Sequence, residues 1–186
     1  MIVGRRRSHP HVLISVCIER GQTPAAALLT VRTNPSNGAR FELDRRSFGF
    51  GETQAQITRS IAERIPRDAT VLSHTRRMPD HAQRHSALPH ESLAPYPPGL
   101  VARYRPDLTT ICHPCGQREL AEVAAAYEIV AESGPMWTTL EASAARDAQA
   151  LWLLFLWTRC RPQQRDWLAS AWEAWRAIER ARNAPT

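Results

Sequence analysis

Three groups of side chains in this sequence have the types and spacing that chemistry needs. Cys112 and Cys115 form a Cys-x-x-Cys, while His81 and His85 stand four residues apart in a stretch with helical character. Together they compose a Cys₂His₂ set, the donor composition of a structural, tetrahedral Zn²⁺ site that would pin the surrounding loop. His74, His90 and His113 are further imidazoles near this set. The second group is carboxylates: Glu19 closes the apolar run HVLISVCI, Asp147 interrupts an apolar helical run, and Asp80 follows a short strand. Each also has an ordinary reading, Glu19 as a solvated strand end, Asp80 as a turn residue and Asp147 as a helix charge paired with Arg146. The third group is arginine, in the clusters Arg5-Arg6-Arg7, Arg45-Arg46 and Arg76-Arg77, whose planar guanidinium forks suit phosphate oxygens.

Composition narrows the classes. The 186 residues carry a net charge of +6, and all 24 basic residues are arginine. That balance suits an acidic partner such as nucleic acid, although a GC-rich genome accounts equally well for arginine in place of lysine. No apolar run reaches the roughly 18 residues of a membrane span. No apolar stretch follows the basic first residues as a secretory signal requires, so a cytoplasmic protein is expected. Four cysteines in a chain of this size do not make a disulfide framework, and Cys17 and Cys160 read as small core residues. Phosphate loops of the GxxxxGK[ST] type, GxGxxG turns, GxSxG elbows and HExxH helices do not occur.

The elements that must position these groups follow from periodicity. Residues 11–18 read as a strand buried on both faces, 25–33 as a second strand, and 39–45 as a half-exposed third one after the turn Asn34-Pro35-Ser36-Asn37-Gly38. Ile57, Ile61 and Ile65 mark an amphipathic helix stopped by Pro66. Residues 69–73 read as a strand reached by a crossover. Residues 81–84 have helical character, and the proline-rich 87–106 reads as a loop or flap. A strand is expected over 108–112, a helix over 117–131 and a core helix over 140–159. A last helix opens at Pro162, and its stripe of Trp167, Trp172, Trp175 and Ile178 either packs on the domain or docks a protein partner. The expected architecture is α/β: a mixed five-stranded sheet, made of a three-stranded antiparallel meander plus parallel strands, with flanking helices. A basic arm (1–10) precedes the domain (11–160), and a Trp-rich helix (161–186) follows it.

That order of elements resembles an RNase H-like fold, and local stretches over about residues 11–157 resemble the DEDD-type 3′–5′ exonucleases, which include polymerase proofreading subunits and RNase T. The family opens with Asp-x-Glu on a strand before a glycine turn, and Val16-Cys17-Ile18-Glu19-Arg20-Gly21 lies in the corresponding place. A strand ending in His-Asn, with an aspartate shortly after, is matched by Val71-Leu72-Ser73-His74-Thr75 and Asp80. The leucine-alanine helix corresponds to residues 119–129. The family's last motif, Asp-Ala-x-x-x-Ala on a helix, is similar to Arg146-Asp147-Ala148-Gln149-Ala150-Leu151-Trp152.

The resemblance implies phosphodiester hydrolysis at two Mg²⁺ or Mn²⁺ ions, with Glu19, Asp80 and Asp147 as the carboxylates that would hold them. A single-stranded nucleic-acid end would be held by Arg5, Arg6, Arg7, His74, Arg76, Arg77 and Arg146. The chain departs from the pattern twice. Cys17, a soft and normally protonated thiol, stands at the bridging aspartate. The general-base position falls on Ser143 or Ala142, neither of which takes a proton from water. The expectation is therefore a pseudoenzyme, an exonuclease-like protein with a degenerate site that binds nucleic acid or a protein partner and cleaves weakly or not at all, with or without a metal. The alternatives are an active exonuclease with a rearranged metal site and a zinc-stabilised interaction module.

Overall fold

A computed structural model of the protein describes residues 9–19, 23–34, 38–75, 101, 104–131 and 138–183. Strand β1 (Val12–Glu19) lies at the centre of a five-stranded sheet, which is why its first six residues are apolar or small and buried on both faces. It pairs antiparallel with β2 (Ala25–Asn34), and β2 pairs antiparallel with β3 (Gly38–Ser47). On its other side β1 runs parallel to β4 (Thr70–Thr75), itself parallel to β5 (Thr109–Pro114), giving the order β3-β2-β1-β4-β5. The antiparallel turns and the parallel crossover were both legible in the spacing of turn residues and of the intervening helix.

Helix α1 (Gln54–Arg64) makes that crossover. The Thr53 hydroxyl accepts from the Gln56 backbone N–H, and the Gln56 carbonyl oxygen Oε1 accepts from the Thr53 N–H, a reciprocal cap that sets the first turn. Ile65, extended before Pro66, ends it. Ile57, Ile61 and Ile65 cover one face of the sheet, against Val12, Ile14 and Val16.

The other face carries the remaining helices, α2 (Gln117–Ala126), α3 (Thr139–Arg159) and α4 (Pro162–Asn183). Helix α3 is buried along most of its length, with Ala144, Ala148, Leu151, Trp152 and Leu156 in the same cluster as Leu13, Leu29 and Leu72. Helix α2 is shorter than its periodicity predicts. Glu128 takes φ +52°, and the chain closes with Ile129 N–H donating to the Ala124 carbonyl at 2.8 Å and Glu128 N–H to Ala125 at 3.1 Å. That Schellman turn ends the helix five residues early and leaves Val130, expected on the packed face, 69% exposed. Arg176 of α4, buried, then donates to the carbonyls of Tyr127 and Glu128 at 2.8 and 3.0 Å, tying α4 to the end of α2.

Most of the tryptophan stripe on α4 is consumed by packing. Trp172 is buried against Tyr127 and Trp152, and Trp175 stacks on Phe41 at 5.6 Å. Trp167 and Ile178 of that stripe remain exposed. No helix among the described residues is long and apolar enough to cross a membrane.

Candidate functional site

Alternation along β1 sends Leu13, Ser15, Cys17 and Glu19 to the face covered by α3. The Ser15 hydroxyl confirms the docking by donating to the Ala148 carbonyl of α3 at 2.7 Å. This brings Asp147, one residue earlier on α3, to the carboxyl end of β1. In a sheet of this kind that end, where the chain leaves the central parallel strands, is where ligands are bound.

The electrostatics at Cys17 record who its neighbours are. Burial pushes its thiol well above the ordinary range, the charges of Asp147, Glu19 and Cys115 add to that, and Arg146 opposes them. Cys17 is therefore a protonated core thiol that feels the charge of both carboxylates. Cys115, just past the end of β5, is likewise pushed up to about 12, chiefly by burial and then by Glu119, Cys112 and Asp147.

Asp147 is 1% exposed, and a carboxylate removed from water needs partners to be tolerated. It has them on both oxygens. Arg146 Nε donates to Oδ1 at 2.8 Å, and Gln117 Nε2, from the first turn of α2, donates to Oδ2. Arg146 is itself steadied by Ser143, whose hydroxyl accepts from the guanidinium at 3.4 Å. Thus Ser143, at the position expected of a general base, props the arginine, and Ala142 is buried. Gln117 was not singled out in the sequence; thirty residues separate it from Asp147 and no spacing links them.

The histidines divide. His74 and His113 occupy paired positions on β4 and β5, and both are buried. The Thr158 hydroxyl donates to the Leu154 carbonyl at 2.6 Å, so His113 is the donor in its 2.9 Å bond from Nε2 to Thr158. His113 Nδ1 then has no hydrogen-bond partner among the described residues. Burial and then Arg159 lower the His113 pKa, which keeps the ring neutral.

Cys112 is exposed whereas Cys115 is buried, so the two sulfurs of the Cys-x-x-Cys meet different surroundings. Their proposed zinc partners His81 and His85 lie outside the described residues, as do Asp80, His90, Arg5, Arg6, Arg7, Arg76 and Arg77. Of the Arg45-Arg46 pair, Arg46 bonds Ser60 at 2.9 Å and covers the Phe48 ring, a structural use. Among the described residues no group of three or more histidine, cysteine, aspartate or glutamate side chains is arranged to hold a metal ion. A metal at Asp147 would compete with the hydrogen bonds from Arg146 and Gln117, and the neighbouring Cys17 thiol is held toward its protonated form.

No protein-family model, curated protein or solved structure matches this chain.

Proposed function

We propose that this is an exonuclease-like protein of RNase H-like fold whose metal site has degenerated, and that it binds a single-stranded nucleic-acid end with little or no cleavage. The strand order and the mixture of antiparallel and parallel pairing support the fold reading. The shared neighbourhood of Glu19, Cys17 and Asp147 at the carboxyl end of β1 supports the kinship. The loss of cleavage rests on one observation above all. Asp147 is ion-paired with Arg146 and hydrogen-bonded by Gln117, so a built-in cation answers the charge that a metal would otherwise meet. A guanidinium can hold phosphate but cannot lower the pKa of a bound water or bridge attacking and leaving oxygens.

The test is incubation with end-labelled single-stranded DNA and RNA in Mn²⁺, paired with binding measured across a salt series. Salt-dependent binding with the strand left intact is the expected result. Shortening of the strand that disappears in Asp147→Ala identifies an active enzyme instead. Absence of binding to either strand at low salt overturns the proposal.

A further inference from the structure

At the opposite end of β1 from Glu19, a groove of about 510 Å³ opens between the start of β1, the end of β2 and the first turns of α4. Its volume falls within the range of small-molecule sites. Trp167, 42% exposed, lines it. Asn34, Gln163, Gln164, His9, His11 and Thr33 also line it. Among the described residues no carboxylate or guanidinium is part of the lining.

The lining is also held in place. The His9 backbone N–H donates to Gln164 Oε1 at 2.9 Å, which fixes that amide and leaves its N–H groups as what it can offer a ligand. His9 Nε2 accepts from the Trp152 indole at 3.0 Å, and Nδ1 donates to the Pro10 carbonyl at 2.7 Å, so the ring is neutral and fully engaged. His11 Nδ1 lies 3.4 Å from the Thr33 carbonyl.

An exposed indole in a groove also lined by the Gln163 amide, with a donor and an acceptor, and by the N–H groups of Gln164 suits an uncharged planar heterocycle with a hydrogen-bonding edge. Side-chain amides pair with the N6 and N7 edge of adenine, and indole stacks on any base. We infer that this groove binds an unpaired purine base, adenine above all, stacked on Trp167 and read by the amides of Gln163 and Gln164. The inference stands on this groove alone and does not depend on the state of Asp147. The groove shares the α3 face of the sheet with Glu19, roughly 26 Å away by the rise of eight strand residues.

The experiment uses the full chain, with adenosine and an adenine-only oligonucleotide as probes. A saturable shift of the Trp167 indole N–H resonance with adenosine is expected. Equilibrium dialysis should show Trp167→Leu and Gln163→Ala each weakening adenosine binding about fivefold or more. Trp167→Leu should keep its melting temperature, because much of that ring is already in water. Asp147→Asn should bind adenosine as the parent does, so failure here and failure of the proposed function are told apart. Tighter binding of the oligonucleotide than of adenosine assigns the base to a strand, and equal binding assigns it to a free nucleoside; both uphold the groove. No shift with either probe, an unchanged affinity in both variants, or the same shift with N-acetylglucosamine in place of adenosine overturns it.

Discussion

Asp147 sits where water is shut out, and its two oxygens are answered by one guanidinium and one amide. Removing it strands Arg146 partly buried, so Asp147→Ala should cost about 2 kcal/mol of stability, below the roughly 3–5 kcal/mol of a fully buried pair because Arg146 is about a quarter exposed. A urea midpoint unchanged from the parent would show that the pair contributes nothing. The cysteines offer a second test at this scale. Burial pushes Cys17 and Cys115 far up and raises Cys160 to about 11, and only thiolates react with alkylating agents. In native protein at pH 8, Cys112 alone should be alkylated quickly, read by mass spectrometry; rapid labelling of Cys17 would contradict its placement. Sequence made Asp147 conspicuous because a charge in an apolar helical run demands a reason. It could not reveal that the reason was closure by Gln117, since that contact exists only after α2 and α3 have packed together.

Helix ends were the least readable features of the elements. The apolar spacing of α2 continues through Val130, yet the helix stops at Ala126 because Glu128 enters the left-handed region, where a side chain is strained. Nothing in the local sequence announces this, as the usual signal is glycine or asparagine. The prediction follows that Glu128→Gly stabilises the protein by about 1 kcal/mol, by removing strain at an exposed position whose carbonyl bond to Arg176 survives. A lower melting temperature in that variant would refute it. By contrast, α1 and α3 begin where Thr53 with Gln56 and Thr138 with Glu141 form reciprocal caps, a pattern already written in the residues. The strands were legible for a related reason: β1 is mostly apolar because both its faces are covered, and Phe41 and Leu43 alternate with polar residues in β3 because only one of its faces packs on the core.

For the molecule as a whole, the central observation is how its two ends meet. His9 lies edge-on to Trp152 and Phe155 and bonds to Gln164 of α4. Burial holds its pKa down at about 4 against an ordinary 6.5, with the Pro10 hydrogen bond opposing. Because the unfolded chain takes up this proton first, His9 contributes its stability fully above about pH 6.5 and loses it as pH falls toward 4. That difference amounts to about 3 kcal/mol, and burial of His113 acts in the same direction. Urea midpoints at pH 7 and pH 4 should therefore drop less in His9→Asn than in the parent; parallel drops would remove His9 from the account. Trp172→Ala, which empties a fully buried indole site, should cost about 3–5 kcal/mol in the same assay. The α/β class and the mixed sheet were visible in the order of turns and periodic runs, but His9 was read as part of a basic arm. Its partners stand at the far end of the chain, beyond the reach of any local pattern.

This clasp also bears on the birth of the protein. Residue 9 waits for residue 152 and then for residue 164, separations of 143 and 155 positions. The ribosome emits the opening strand first, yet its leading end finds a seat only when the closing helix emerges. Until then the nascent chain exposes a sheet that lacks one cover, so a chaperone that shields apolar strands would act during synthesis.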